Sequence, residues 1–180
     1  MQEIETKILD VDVQDIKKKL NSLGAQEIQN TRLIVDWYGP KGLTHDGDDL
    51  WFLRVRTYSN GKHEVTWKGK SDILGASRKH KEINFTISDP IQIGYFFEEL
   101  DLEKYGHQEK DRISWTLNDY QFDLDQYPGM SAYLEIEGES EAHIQEAIKL
   151  LDLASHKNSS DGERALIKKE YGLDWFNMRF

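Results

Sequence analysis

Strict alternation of polar and apolar positions recurs along this chain, and it opens at once: "QEIETKIL", residues 2–9, sets Glu3, Glu5 and Lys7 on one face against Ile4, Thr6 and Ile8. Six further segments read the same way. Arg54 and Arg56 oppose Leu53 and Val55; Lys68 lies with Thr66 and Glu64 against Val65 and Trp67. Glu82 shares a face with His80 and Asn84 against Ile83 and Phe85, and Lys110 pairs with Arg112. Asp123 and Asp125 oppose Phe122 and Leu124, and Glu135 and Glu137 oppose Leu134 and Ile136. "SNG" between 50–58 and 63–70, and "ND" between 107–117 and 120–127, are hairpin signals. Long strands are also expected over 26–38, 77–88 and 131–140.

Helical segments interrupt this pattern four times. Asp12 caps Val13, Ile16, Leu20 and Leu23, with Gly24 as the stop. Asp89–Pro90 starts a helix carrying Ile93, Phe96, Phe97 and Leu100. Ser140 caps Ile144, Ala147, Ile148 and Leu151, and residues 161–172 predict a short helix with Leu166 on its apolar face. Without low-complexity segment or linker, 1–180 reads as a single α+β domain, mostly antiparallel.

Composition narrows the chemistry. Apolar residues make up 38% and aromatics 11%, enough for a core, and no run approaches the roughly 18 apolar residues of a membrane span. Cysteine is absent, which excludes disulfides and thiolate chemistry. The N-terminus carries no basic-then-apolar signal pattern, so a cytoplasmic location with no membrane association is expected. With 33 acidic against 23 basic residues the net charge is −10, which argues against nucleic acid as a partner and leaves a small polyanion open.

Which way the charged faces point is not given by alternation, since a solvated sheet face alternates too. Their grouping is more informative: the strands are all-acid, all-base or Glu-Glu-Lys, whereas surface strands tend to mix signs. Grouped carboxylates and grouped guanidiniums suit a metal ion and a polyphosphate.

The order of these segments resembles the CYTH superfamily of triphosphate tunnel metalloenzymes, which includes class IV adenylyl cyclases and thiamine and inorganic triphosphatases. "EIETK" matches its ExExK signature, and "LRVR", "TWKGK", "KDR", "DLD" and "LEIEG" follow in the family's order over roughly residues 2–140. The resemblance implies a closed eight-stranded antiparallel β-barrel, a tunnel with a charged lumen and helices packed outside. It implies Mg²⁺ or Mn²⁺ held by Glu3, Glu5, Glu82, Asp123, Glu135 and Glu137. Lys7, Arg54, Arg56, Lys68, Lys110 and Arg112 would clamp the phosphates, and Lys7, Glu5 and Glu82 would serve catalysis. The expected activity is metal-dependent hydrolysis of a small triphosphate compound, inorganic, thiamine-linked or nucleosidic. Cyclisation of ATP to cyclic AMP and non-catalytic polyphosphate or nucleotide binding are the alternatives, and the resemblance is compatible with a homodimer.

The central strand departs from the family's R-x-E-x-E: it reads His80, Lys81, Glu82, Ile83, Asn84, one carboxylate fewer and a titratable group in place of a fixed charge. The stretch "SHKNSSDGERALIKKEYG" lacks the Ser-Tyr pattern associated with the cyclases, which favours hydrolysis. "HDGDD" (45–49) reads as a solvated turn, the six histidines lack zinc spacing, and no Gly-rich phosphate loop appears. Trp37 and Trp51, flanking the long loop, are the tryptophans best placed to stack on a base.

Overall fold

The computed structural model describes residues 2–43, 45 and 51–180, the side chains of Gln2 and Glu3 excepted. The "HDGDD" turn beyond His45 therefore lies outside the described residues. In chain order the elements are β1 (Gln2–Ile8), α1 (Val13–Ser22), β2 (Gln26–Pro40), β3 (Trp51–Tyr58), β4 (His63–Gly69), β5 (Asp72–Leu74) and β6 (Ser77–Ile87). They continue with α2 (Pro90–Glu99), β7 (Leu102–Leu117), β8 (Tyr120–Gln126), β9 (Tyr133–Gly138), α3 (Glu141–Leu150), β10 (Asn158–Ser159), α4 (Glu163–Leu166) and β11 (Asn177–Met178). A π-helical turn, Ile167–Tyr171, extends α4.

Eight strands run antiparallel in the order β1-β9-β8-β7-β2-β3-β4-β6, and β6 pairs back onto β1 to close the barrel. Closure leaves none of these eight with an open edge. The predicted caps are present: Asp12 accepts from the Asp15 N–H, Asp89 from Ile91 and Gln92, and Ser140 from His143.

The apolar strand faces point outward and are covered in patches. Ile8, Phe122, Leu124, Leu134, Ile136 and Trp115 pack under Ile16 and Leu20 of α1 and Ile144, Ala147 and Ile148 of α3. Leu53, Val55 and Val65 pack under Phe97 of α2. The expected apolar face of α2 is only partly used: Phe97 is buried while Phe96 and Leu100 are exposed, because apolar residues surround this helix and only one side meets the sheet.

Two elements differ from the sequence pattern. β7 starts at Leu102, five residues before the expected 107, because Leu102–Gly106 continues the pairing with Trp37–Pro40 across a bulge at Trp37/Tyr38. The C-terminal segment is the exception to helices packing outside. Leu33 and Val35 on β2 lie opposite Lys110 and Arg56 and share their inward face, and Leu166, Ile167, Trp175 and Met178 pack against them. One end of the lumen is thus filled by the chain's own tail.

Candidate functional site in the barrel lumen

Alternation now has a direction: the charged faces look inward. In the β1–β9 ladder Glu5 lies opposite Glu137 and Lys7 opposite Glu135, and in β8–β9 Asp123 lies opposite Glu135. Oxygens of Glu5, Glu135 and Glu137 come within 4.8 Å of one another. Glu5 is fully buried, which would raise its carboxyl; Arg78, Lys7, Lys68 and His80 reverse this and hold it well below the usual range. Arg78 Nε donates to Glu5 Oε1 at 2.6 Å, and Lys7 Nζ lies 3.1 Å from Glu5 and 2.9 Å from Glu135. Burial pushes Asp123 upward against the pull of Arg112, with Asp125 and Glu135 adding to the rise.

This acidic wall has the chemistry of a divalent-cation site. Its donors are hard carboxylate oxygens, and two of them, Glu5 Oε2 and Asp123 Oδ1, are buried without a hydrogen-bond donor. The donor set fits Mg²⁺ or Mn²⁺.

The bases are interleaved with these acids, Arg78 beside Glu5 and Arg112 beside Asp123. Arg54, Arg56, Lys68, Arg78 and Arg112 line a cavity of about 700 Å³ together with Glu135, Glu137 and Asp123. Arg56 pairs with Glu64 and donates to Thr66 at 3.1 Å; Lys68 lies 2.6 Å from Glu82. Arg112 grips Asp125 bidentately, Nε to Oδ1 at 2.6 Å and Nη2 to Oδ2 at 2.5 Å. Arg54 differs: among the described residues no carboxylate lies within 4.0 Å of it, and its Nε lacks an acceptor. Its guanidinium sits 5.5 Å from the Trp37 ring. Burial would lower its pKa, but Glu82 and Glu163 raise it above the ordinary value. Arg54 is the cation best placed to receive an anion.

The residues expected from the sequence fall into three groups. Glu5, Glu135, Glu137 and Asp123 come together, and Arg54, Arg56, Lys68 and Arg112 face them. Lys7 and Lys110 stand behind that surface, 0% and 2% exposed: Lys7 lies between Glu5 and Glu135, and Lys110 between Asp125 and Glu163 at 2.7 Å each. Glu82 is in the lumen but held by Lys68 and by Asn84, whose Nδ2 donates to it at 2.6 Å. Burial would raise its carboxyl; His80, Lys68 and Arg54 keep it far below the usual range. The side chain of Glu3 lies outside those described.

Three lumen residues were not expected. Arg78 shares the inward parity of His80, Glu82 and Asn84, so "SRKHKEIN" carries its fixed charge two positions before the family's arginine. Tyr133 and Glu163 complete the far end: Tyr133 Oη donates to Glu163 Oε1 at 2.9 Å and lies 3.1 Å from Asp125 Oδ2. Tyr133 lies two residues before the inward Glu135 and shares its face, but no local pattern brings Glu163 inside.

An aromatic wall adjoins the charges. Trp37, Phe52 and Trp175 line the cavity, and the Arg164 guanidinium lies 5.6 Å from the Phe52 ring and 5.5 Å from Trp175. Trp51 instead packs against the outer cluster under α2.

No curated protein matches this sequence. A solved protein of Pyrococcus horikoshii OT3 is similar over 86% of this chain and 94% of its own, at 25% identity and a TM-score of 0.71. A second from the same organism shares 19% identity over 93% and 99%, with a TM-score of 0.70. A Hippeastrum protein described as having a dominant triphosphatase activity shares the fold, at 14% identity over 93% of this chain and 95% of its own, with a TM-score of 0.69. The family model of the CYTH domain matches residues 1–165, and the chain belongs to that family.

Proposed function

We propose that the protein is a divalent-metal-dependent phosphohydrolase that holds a triphosphate compound in the barrel lumen. One observation carries this reading: a cavity of about 700 Å³ is lined both by Glu135 and Glu137, which with Glu5 bring carboxylate oxygens within 4.8 Å of one another, and by the guanidiniums of Arg54, Arg56, Arg78 and Arg112. So many inward charges are tolerable only when paired or bound to ions, and a triphosphate with its cation supplies both signs. Membership of the CYTH family and the triphosphatase activity described for the Hippeastrum protein accord with it.

Arg54, Arg56, Lys68, Arg78 and Arg112 would neutralise the phosphate oxygens and fix the chain of phosphates for in-line displacement. Glu5, Glu135 and Glu137, with Asp123, would hold Mg²⁺ or Mn²⁺. When bound, such an ion supplies charge neutralisation and a coordinated water of lowered pKa. Lys7 positions Glu5 and Glu135, and Glu82 positions Lys68. Attack of water on the terminal phosphorus forms a new P–O bond and breaks the bridging one: the terminal phosphoryl becomes orthophosphate, the remaining diphosphate departs with the bond's electron pair, and the water's proton passes to solvent.

The aromatic wall of Trp37, Phe52 and Trp175 favours a second reading, in which the phosphates carry an organic group and the ribose 3′-hydroxyl of ATP is the nucleophile. Phosphorus NMR of the protein with Mg²⁺ or Mn²⁺, given tripolyphosphate or ATP, separates the two. Orthophosphate that fails to appear with Glu137→Gln supports hydrolysis. Pyrophosphate with cyclic AMP supports cyclisation, and unchanged substrate in every tube overturns both.

A further inference from the structure

The inner end of the lumen is closed by an anion that belongs to the protein. Glu163, brought in by α4, receives Lys110 Nζ and Tyr133 Oη on the same oxygen, Oε1, at 2.7 and 2.9 Å. Lys110 is 2% exposed and is already shared with Asp125. Glu163 also borders the cavity, where Arg54 is the nearby cation without a carboxylate within 4.0 Å among the described residues. Directly beyond it, Leu166 and Ile167, each 0% exposed, meet Leu33 and Val35. The row of cations therefore ends first in a carboxylate and then in hydrocarbon, neither of which accepts a phosphoryl group.

We propose that Glu163 is the specificity-determining residue for phosphate chain length: its carboxylate fills the position that one more phosphoryl group would take, and so limits the lumen to triphosphates. This rests on the triphosphate reading above. A carboxylate has the charge and hydrogen-bonding shape of one edge of a phosphate, and it satisfies Lys110 as a phosphate would. A fourth phosphoryl group pushed toward Arg54 and Lys110 would meet a fixed negative charge at close range inside a poorly screened cavity. Burial would raise the Glu163 carboxyl, but Lys110 and Arg54 hold it well below the usual range, so the charge is present at neutral pH.

The test is calorimetric titration of linear tripolyphosphate and linear tetraphosphate into wild-type, Glu163→Gln and Glu163→Asp proteins in EDTA, where binding is read without turnover. Wild type should bind tripolyphosphate at least as tightly as tetraphosphate despite the latter's extra charge. Glu163→Gln, nearly isosteric, should tighten tetraphosphate about tenfold relative to tripolyphosphate, the size of one removed like-charge contact in a partly screened site. Glu163→Asp keeps the charge and should keep the wild-type preference; it also guards against a fold that tolerates no neutral residue here. A tetraphosphate-to-tripolyphosphate ratio within twofold of wild type in folded Glu163→Gln overturns this proposal and leaves the triphosphate reading standing. Wild type that binds neither compound overturns both.

Discussion

Removing the Lys110 ammonium tests how far the inward charges depend on one another. In Lys110→Met the side chain keeps its length, while Asp125 and Glu163 each lose a cation at 2.7 Å. At an effective dielectric of about 20, each such contact is worth about 6 kcal/mol before desolvation is counted. Burying the ammonium offsets much of this, and loss of one partner from a buried ion pair costs about 3–5 kcal/mol net. The two acids do not suffer equally. Arg112 still grips Asp125, whereas among the described residues Glu163 is left with no cation within 4.0 Å. Most of the cost should therefore sit at Glu163, and the double variant Lys110→Met/Glu163→Gln should recover about 1–3 kcal/mol relative to the sum of the single changes. Urea unfolding followed by tryptophan fluorescence measures this, and the single change should lower the thermal midpoint by about 6–20 °C in a chain of this size. A loss under about 1 kcal/mol, or strict additivity in the cycle, would refute the claim that this end of the lumen is a coupled buried network.

Three further outcomes follow from the same geometry. Glu5, Asp125 and Glu163 have folded pKa values below their unfolded ones, so their stabilisation is complete above about pH 5 and lost as pH falls through about 4 toward the folded values; Asp123, raised by burial, works in the opposite sense. Urea midpoints in EDTA should therefore hold from about pH 7 to 5 and drop steeply below it, and a midpoint that rises on acidification contradicts the pairing. Arg54→Met should lower kcat with tripolyphosphate about 10²–10³-fold while leaving the thermal midpoint near wild type, since this cation stabilises an anion rather than the fold; unchanged kcat removes it from the clamp. Asn84→Glu replaces the donor 2.6 Å from Glu82 with a second carboxylate and should cost about 1–3 kcal/mol without metal. Mn²⁺ should restore more stability to this variant than to wild type in paired melts, and equal shifts would place the cation elsewhere.

The barrel was legible because period-two alternation survives in β1, β3, β4, β8 and β9 and around Glu82 in β6, and both hairpin turns carry turn residues. The direction of the charged faces was less legible, since Glu135 and Glu137 alternate with Leu134 and Ile136 whichever side is wet. Like-charge grouping and the ordered resemblance carried that step. Arg78 has the parity of Glu82, but the R-x-E-x-E pattern places its arginine at position 80, so the pattern does not mark Arg78. Glu163 lay beyond local reading altogether. It enters through a tertiary contact between a four-residue helical turn and a strand 53 positions earlier, and nothing in "SDGERAL" marks a residue that will be buried. The same holds for the apolar inward face of Leu33 and Val35, which makes sense only once the tail is seen packed on it.

The central claim is that the lumen, and no other surface, is where metal and phosphates meet. Crystals grown with Mn²⁺ and tripolyphosphate, measured at the manganese absorption edge, test it most directly. An anomalous peak coordinated by Glu5, Glu135 and Glu137 is expected, with phosphate density reaching Arg54 and Arg56. A manganese peak or phosphate chain bound only on the outside of the barrel would contradict it.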